Sequence, residues 1–175
     1  VGVQKLLRAP ADGYTLLYGA LSETVLVPLI NPAVNYRLED MAAIAFAGAA
    51  PAVFVTRPDF PANTMDELLA LARKSPGKYS YGSPGIGTFQ HLVAETVKMK
   101  SGTFLLHIPY RGGGNIMADV VSGQVDIGVT TAPNVVGLLS QGRIKVLGVT
   151  SASRLPVMPN VPALSETPAL KGMDL

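Results

Sequence analysis

Cysteine is absent from this sequence, which removes disulfides and thiolate metal sites. A cysteine-free chain suits oxidising and reducing compartments alike. Tryptophan is absent too and aromatics make up 6% of residues, so a core must rely on Ala, Val, Leu and Ile. Charge is scarce: 15% of residues are charged, the net charge is +2, and Lys and Arg are scattered. A nucleic-acid partner would call for a concentrated basic face or a recognition motif, and neither is present. Long apolar runs are missing as well. The most apolar stretch, Met41–Val55, is broken by Gly48 and Pro51 and falls short of the roughly 20 residues of a membrane span. No leader or starting Met precedes Val1-Gly2-Val3-Gln4, and the chain ends on Lys171-Gly172-Met173-Asp174-Leu175 without a finished element. It reads as part of a longer protein, so the missing leader is silent about location.

What is present is apolar and periodic. Hydrophobic residues reach 48% of 175, enough for a core and against disorder. Val1–Arg8 is expected as a helix and Tyr14–Gly19 as a strand. Ala20–Thr24 is expected as a small polar loop, before an apolar segment that runs past Pro28 to Ile30. Ala42–Ala49 and Ala52–Thr56 are expected as buried strands. Thr64-Met65-Asp66-Glu67 is a capping box that opens a helix stopped by Pro76-Gly77. Strands Tyr79–Gly82, Leu105–Ile108, Val125–Thr130 and Val146–Thr150 then alternate with helices Phe89–Lys100, Asn115–Val121 and Asn134–Leu139. This alternation predicts an α/β fold with a mostly parallel sheet and helices on both faces. Ser151–Pro168, with four prolines, looks like a strap crossing between two lobes.

Ligands of such sheets sit beyond the carboxyl ends of the strands. The loops there are Ser83–Thr88, Pro109–Gly114 and Thr130–Asn134. In the first, Ser83-Pro84-Gly85-Ile86-Gly87-Thr88 delivers the chain into a helix. First-turn amides lack intrahelical partners and the dipole makes that end positive, so the loop is a candidate anion site. In the second, Arg111 could clamp a carboxylate and Gly112-Gly113-Gly114 could offer amides. In the third, Thr130-Thr131 could donate hydroxyls or cap a helix. Ser22 and Thr24 could form an opposing wall. Gly85-Ile86-Gly87-Thr88-Phe89-Gln90 lacks the third glycine of a dinucleotide fingerprint and the Lys-Ser/Thr of a phosphate loop. His91 lies within reach of its loop. His91 and His107 are not spaced as a metal pair, and no nucleophile elbow or carboxylate pair appears. No enzyme activity, metal or cofactor is expected.

Taken in order, these landmarks resemble the Bug family of extracytoplasmic solute-binding proteins, the binding components of tripartite tricarboxylate transporters. They are Pro10-Ala11-Asp12-Gly13-Tyr14-Thr15-Leu16-Leu17, Asn31-Pro32, Tyr81-Gly82-Ser83-Pro84-Gly85-Ile86-Gly87-Thr88, Gln90-His91-Leu92 and Ile108-Pro109-Tyr110-Arg111-Gly112. Gly123-Gln124-Val125-Asp126, Gly142-Arg143-Ile144-Lys145-Val146-Leu147-Gly148-Val149-Thr150 and Pro159-Asn160-Val161-Pro162 complete them. The resemblance implies a type II periplasmic-binding-protein fold of two lobes with mainly parallel sheets. Residues 53–150 would be a complete ligand-binding lobe. Residues 1–52 with 151–175 would be an incomplete one.

It further implies capture of a small carboxylate, a di- or tricarboxylate or an aromatic acid, in an interlobe cleft for uptake. The residues implied are Ser22, Thr24, Ser83, Gly85, Gly87, Thr88, His91, Tyr110, Arg111 and Thr130. The partners implied are the carboxylate and the membrane permease subunits of a tripartite transporter, with self-association of the truncated lobe, and the location is periplasmic. Two departures matter. The family's opening strand with its Pro-Gly-Gly loop is absent. Thr130 also stands where many members place Asp, so a ligand without an ammonium group is expected. The alternative is a ligand-sensing effector domain of a LysR-type transcription regulator.

Overall fold

The computed structural model describes residues 2–173, which cluster into two compact units: 2–48 with 87–89, and 49–86 with 90–173. The second unit is built on a five-stranded sheet in the order β3-β2-β4-β1-β5. Its strands are β1 (Ala52–Thr56), β2 (Ser80–Ser83), β3 (Leu106–Pro109), β4 (Ile127–Thr131) and β5 (Lys145–Val149). β2 runs parallel to β3 and β4, whereas β1 is antiparallel to both β4 and β5. Four strands therefore share one direction, and β1 alone opposes them. The expected mainly parallel sheet is present, with one reversed strand inside it.

All five residues of β1 are buried, so neither face is solvated. Val53 and Val55 share a core with Ile116, Met117 and Val120 of α5 (Gly113–Ser122). Phe54 pairs with Gly148, and side chains of paired residues share a face. A Cβ on Gly148 would come within 2.7 Å of Leu164 and 3.1 Å of Met65 on α3 (Met65–Lys74). Helices thus cover both faces, as the alternation predicts. Thr64 caps α3 by accepting the Glu67 amide at 3.2 Å. The Glu67 carboxylate reaches past Thr64 to the Asn63 amide at 2.6 Å, so the expected box is displaced by one residue. α4 (Phe89–Ser101) buries Val93, Ala94 and Val97, as its spacing requires. α6 is short, Val136–Ser140. At the start of β2 and β4, Asp126 accepts from the Ser80 amide at 2.9 Å and from Arg57 at 3.4 Å, fixing three strands at one end.

The segment after β5 packs on this same unit. The Val149 amide donates to Pro162 at 3.0 Å, and the Thr150 hydroxyl accepts the Ala52 amide at 2.9 Å. Leu164, Leu170 and Met173 are buried. The grouping of residues 151–175 with residues 1–52 expected from sequence differs from this arrangement. The segment is a run of turns with two short 3-10 helices, and its apolar residues dock beside β5 instead of leaving it.

The first unit is thinner. α1 (Gly2–Arg8) forms as expected. The expected polar loop at Ala20–Thr24 is helical instead: a π-helical turn, Ser22–Leu26, runs into α2 (Val27–Ile30). Pro28 lies inside this continuous helical run and has no amide proton to give it. The strands expected at Tyr14–Gly19 and Ala42–Ala49 are not strands. Both segments lack backbone hydrogen-bonded ladders and stand largely exposed, with Tyr14 at 92%, Tyr18 at 88% and Phe46 at 85%.

Two outcomes are expected. Leu164→Ala should cost about 2–5 kcal/mol in urea unfolding, and a loss below about 1 kcal/mol would detach the C-terminal segment from the core. The bare apolar rows of the first unit should drive concentration-dependent self-association, and a strictly monomeric particle by light scattering would count against this.

Candidate functional site

Because β2, β3 and β4 are parallel neighbours, their carboxyl ends lie at one edge of the sheet. The three loops singled out in the sequence leave from that edge. α4 and α5 follow two of these loops in the chain, and the start of a helix is its positive end.

In the loop after β2, Ser83 is fully buried. Its hydroxyl lies 2.7 Å from His107 Nε2, accepts the Gly85 amide at 3.4 Å and reaches the Gly85 carbonyl at 3.3 Å. Ser83 is therefore an internal brace of the loop. Residues 87–89 group with the first unit. There the first amide of α4, on Phe89, donates to Ser22 Oγ at 3.0 Å. A Cβ on Gly87, whose φ is +77°, would meet Ile30 Cδ1 at 1.9 Å. Gly87 thus admits a neighbouring side chain where sequence reasoning expects a ligand. Thr24 donates its hydroxyl to the Ala20 carbonyl at 2.8 Å, and Glu23 accepts the Ala20 amide at 2.7 Å. Both side chains are spent on their own helix. Thr88 opens α4 beside Phe89.

The loop after β3 is more open. Tyr110 lies over Gly82, where a Cβ would come within 2.8 Å of its ring. Its hydroxyl donates to Asp119 at 2.7 Å. Burial and then Asp119 push the phenol up to about 12, so it stays protonated and engaged. Arg111 is exposed and joins no ion pair among the described residues. Gly112 takes φ +115°, a conformation suited to glycine, and leads into α5. Gly113 is hemmed in: a Cβ would lie 2.6 Å from Asn134 Nδ2 and 2.8 Å from Thr130 Oγ1. A Cβ on Gly114 would meet open space.

Thr130 is fully buried beneath this turn. Asn134 donates to Thr130 Oγ1 at 2.9 Å and to Thr131 Oγ1 at 3.2 Å. As acceptors, both hydroxyls keep their own protons for a further partner. Asn134 was not among the residues expected at the site. The signal available was its place at the end of the loop after β4, one turn from Thr130.

The two histidines meet. His91 of α4 and His107 of β3 have centroids 4.3 Å apart, and His107 stacks on Tyr81 at 4.7 Å. Burial, then the neighbouring His91, holds His107 below the usual imidazole range. Burial and the Glu95 carboxylate push Tyr81 far up. Burial works to raise Glu95, but hydrogen bonds from Lys98 and Tyr81 hold it below the usual carboxylate range. Among the described residues no three His, Asp or Glu gather as metal ligands, and no helix is long and apolar enough to cross a membrane. A concavity of about 720 Å³ lies in the first unit beside Thr24, Pro28, Tyr36 and Asp40, and its walls include none of the strand-end loops.

A family model described as "Tripartite tricarboxylate transporter family receptor" matches residues 1–174. A UPF0065 protein of Bordetella pertussis is 36% identical over 161 residues, 92% of this chain and 50% of that protein. Protein BugT of the same organism is 30% identical over 168 residues, 95% of this chain and 52% of BugT. The chain thus spans about half the length of these relatives. A solved structure described as that of a periplasmic transporter superposes with a TM-score of 0.86 at 30% identity, covering 97% of this chain and 58% of the other. The fold is that of the periplasmic binding proteins. The R. palustris protein Rpa4515, solved with adipate, matches with a TM-score of 0.69 at 27% identity, covering 72% of this chain and 42% of the other.

The crowding at Gly113 is testable. Gly113→Ala should force the Asn134 amide off Thr130, at a cost of about 1–3 kcal/mol. An unshifted Asn134 side-chain amide resonance would show that the turn has more room than its geometry allows.

Proposed function

The chain belongs to the tripartite tricarboxylate transporter receptor family, and from that premise we propose that it captures a small carboxylate, as the binding part of an extracytoplasmic receptor. The observation that carries this reading is the first turn of α5. Just ahead of it Arg111 is exposed, Gly114 is exposed with open space beside it, and Asn134 donates to the hydroxyls of Thr130 and Thr131. A carboxylate would gain a two-pronged arginine, helix-end amides and hydroxyl donors, a set matched to its charge and shape. Gly85 belongs to the same rim, and Ser83 and Tyr110 are supporting residues, since both hydroxyls are held within the protein.

The relative solved with adipate favours a dicarboxylate. Thr130 offers no negative charge to an ammonium, so the ligand class proposed is a di- or tricarboxylate or an aromatic acid without an amine. The protein acts as a receptor rather than an enzyme. It works in the periplasm and hands its ligand to membrane permease subunits. The regulatory effector-domain alternative has no observation in its favour.

Adipate serves as the probe. It should raise the melting temperature and bind in calorimetry, and Arg111→Ala should weaken binding roughly ten-fold or more. Selective stabilisation by aspartate or glutamate would overturn the ligand class. An Arg111→Ala variant with unchanged affinity would remove the α5 turn from the site.

A further inference from the structure

Both histidines of the chain sit behind the loop that follows β2. His91 stands in the first turn of α4 and His107 in the middle of β3, with ring centroids 4.3 Å apart. The groups around them include Tyr81 and Ser83 on β2, and Glu95 and Lys98 on α4. Glu95 is already shared between Lys98, at 2.7 Å, and the Tyr81 hydroxyl. Its charge is therefore largely matched before either histidine takes a proton. Two imidazolium rings this close and half-buried repel each other, so the second proton is much harder to add than the first.

Ser83 connects the pair to the loop. Its hydroxyl is 2.7 Å from His107 Nε2 and within reach of both the amide and the carbonyl of Gly85. With a bare Nε2, His107 draws the hydroxyl proton, and Ser83 can only accept from Gly85. With a proton on Nε2, the bond reverses. Ser83 then accepts from His107 and turns its own proton to the Gly85 carbonyl. Where Nδ1 already carries the ring's other proton, this added proton also places a positive charge behind the loop.

We propose that His91 and His107 form a single-proton site that tunes carboxylate capture, with His107 acting through Ser83 as a positioning residue for the Gly85 loop. The proposal rests on the carboxylate reading above. A bound anion favours the charged pair and the charged pair favours the anion, so binding takes up a proton. Affinity then rises as pH falls through the pair's titration range.

With only two histidines in the chain, their ring protons can be followed by NMR without ambiguity. In the full chain each ring should report the other's titration, and the Gly85 amide should track His107. H91Q should raise the midpoint of His107, because burial remains but the neighbouring charge is gone. Adipate affinity should rise roughly three-fold as pH falls from about 7 to about 5.5, with proton uptake seen as a buffer-dependent binding enthalpy. The slope should flatten in H107Q and in H91Q. Independent ring titrations, a Gly85 amide blind to His107, or an unchanged slope in H107Q would each overturn the proposal. Coupled rings with a tracking Gly85 amide, but no adipate binding at any pH, would uphold the proton site and sink the carboxylate reading instead.

Discussion

β1 is the constraint from which the second unit follows. Its backbone pairs with β4 on one side and β5 on the other, and its five side chains are all buried. A strand used on both edges and both faces has no slack, since slipping by one residue would turn Val53 and Val55 out of the core they share with α5. Because β1 opposes its neighbours, β4 and β5 point the same way. β2 in turn runs parallel to β3 and β4, which sets the end of β4 beside the ends of β2 and β3.

The chain holds two helix starts that follow glycine loops, look alike in sequence and differ in the structure. The amide at the start of α4 is taken by Ser22, and Ile30 occupies the space beside Gly87. The start of α5 has no such cover at Gly114 and has an exposed arginine before it. Glycine spacing marks both as candidate anion sites, but only packing tells which glycine receives a side chain and which faces open space. Gly113 serves a third purpose, letting α5 settle against Thr130 and Asn134.

Local signals made the second unit legible. Thr64, Pro76-Gly77, Gly123 and the apolar spacing of α4 each mark a boundary or face from a few neighbouring residues. The same reasoning misplaced strands at Tyr14–Gly19 and Ala42–Ala49. Alternating apolar side chains make a segment fit to pair, but a strand exists only where a second backbone supplies the hydrogen bonds. The meeting of His91 with His107 was out of reach for a related reason. Sixteen residues separate them in sequence, and only the parallel register of β2 and β3, with α4 packed across them, brings the rings together. Asn134 escaped because its role depends on the two hydroxyls it bridges.

Asp126 gives the sheet a fixed end. It ties β4 to the first amide of β2 and to Arg57 just past β1, all opposite the rim. The two ends of one strand therefore belong to different regimes of backbone opening. Amide protons near Asp126 and within β1 exchange with solvent only when the unit as a whole comes apart, whereas those at Gly112 and Gly114 exchange through local fraying. A deuterium clock read along β4 would run slowly at Ile127 and quicken towards Thr131. Where that clock speeds up is where the molecule can reshape itself around a ligand without loosening its core.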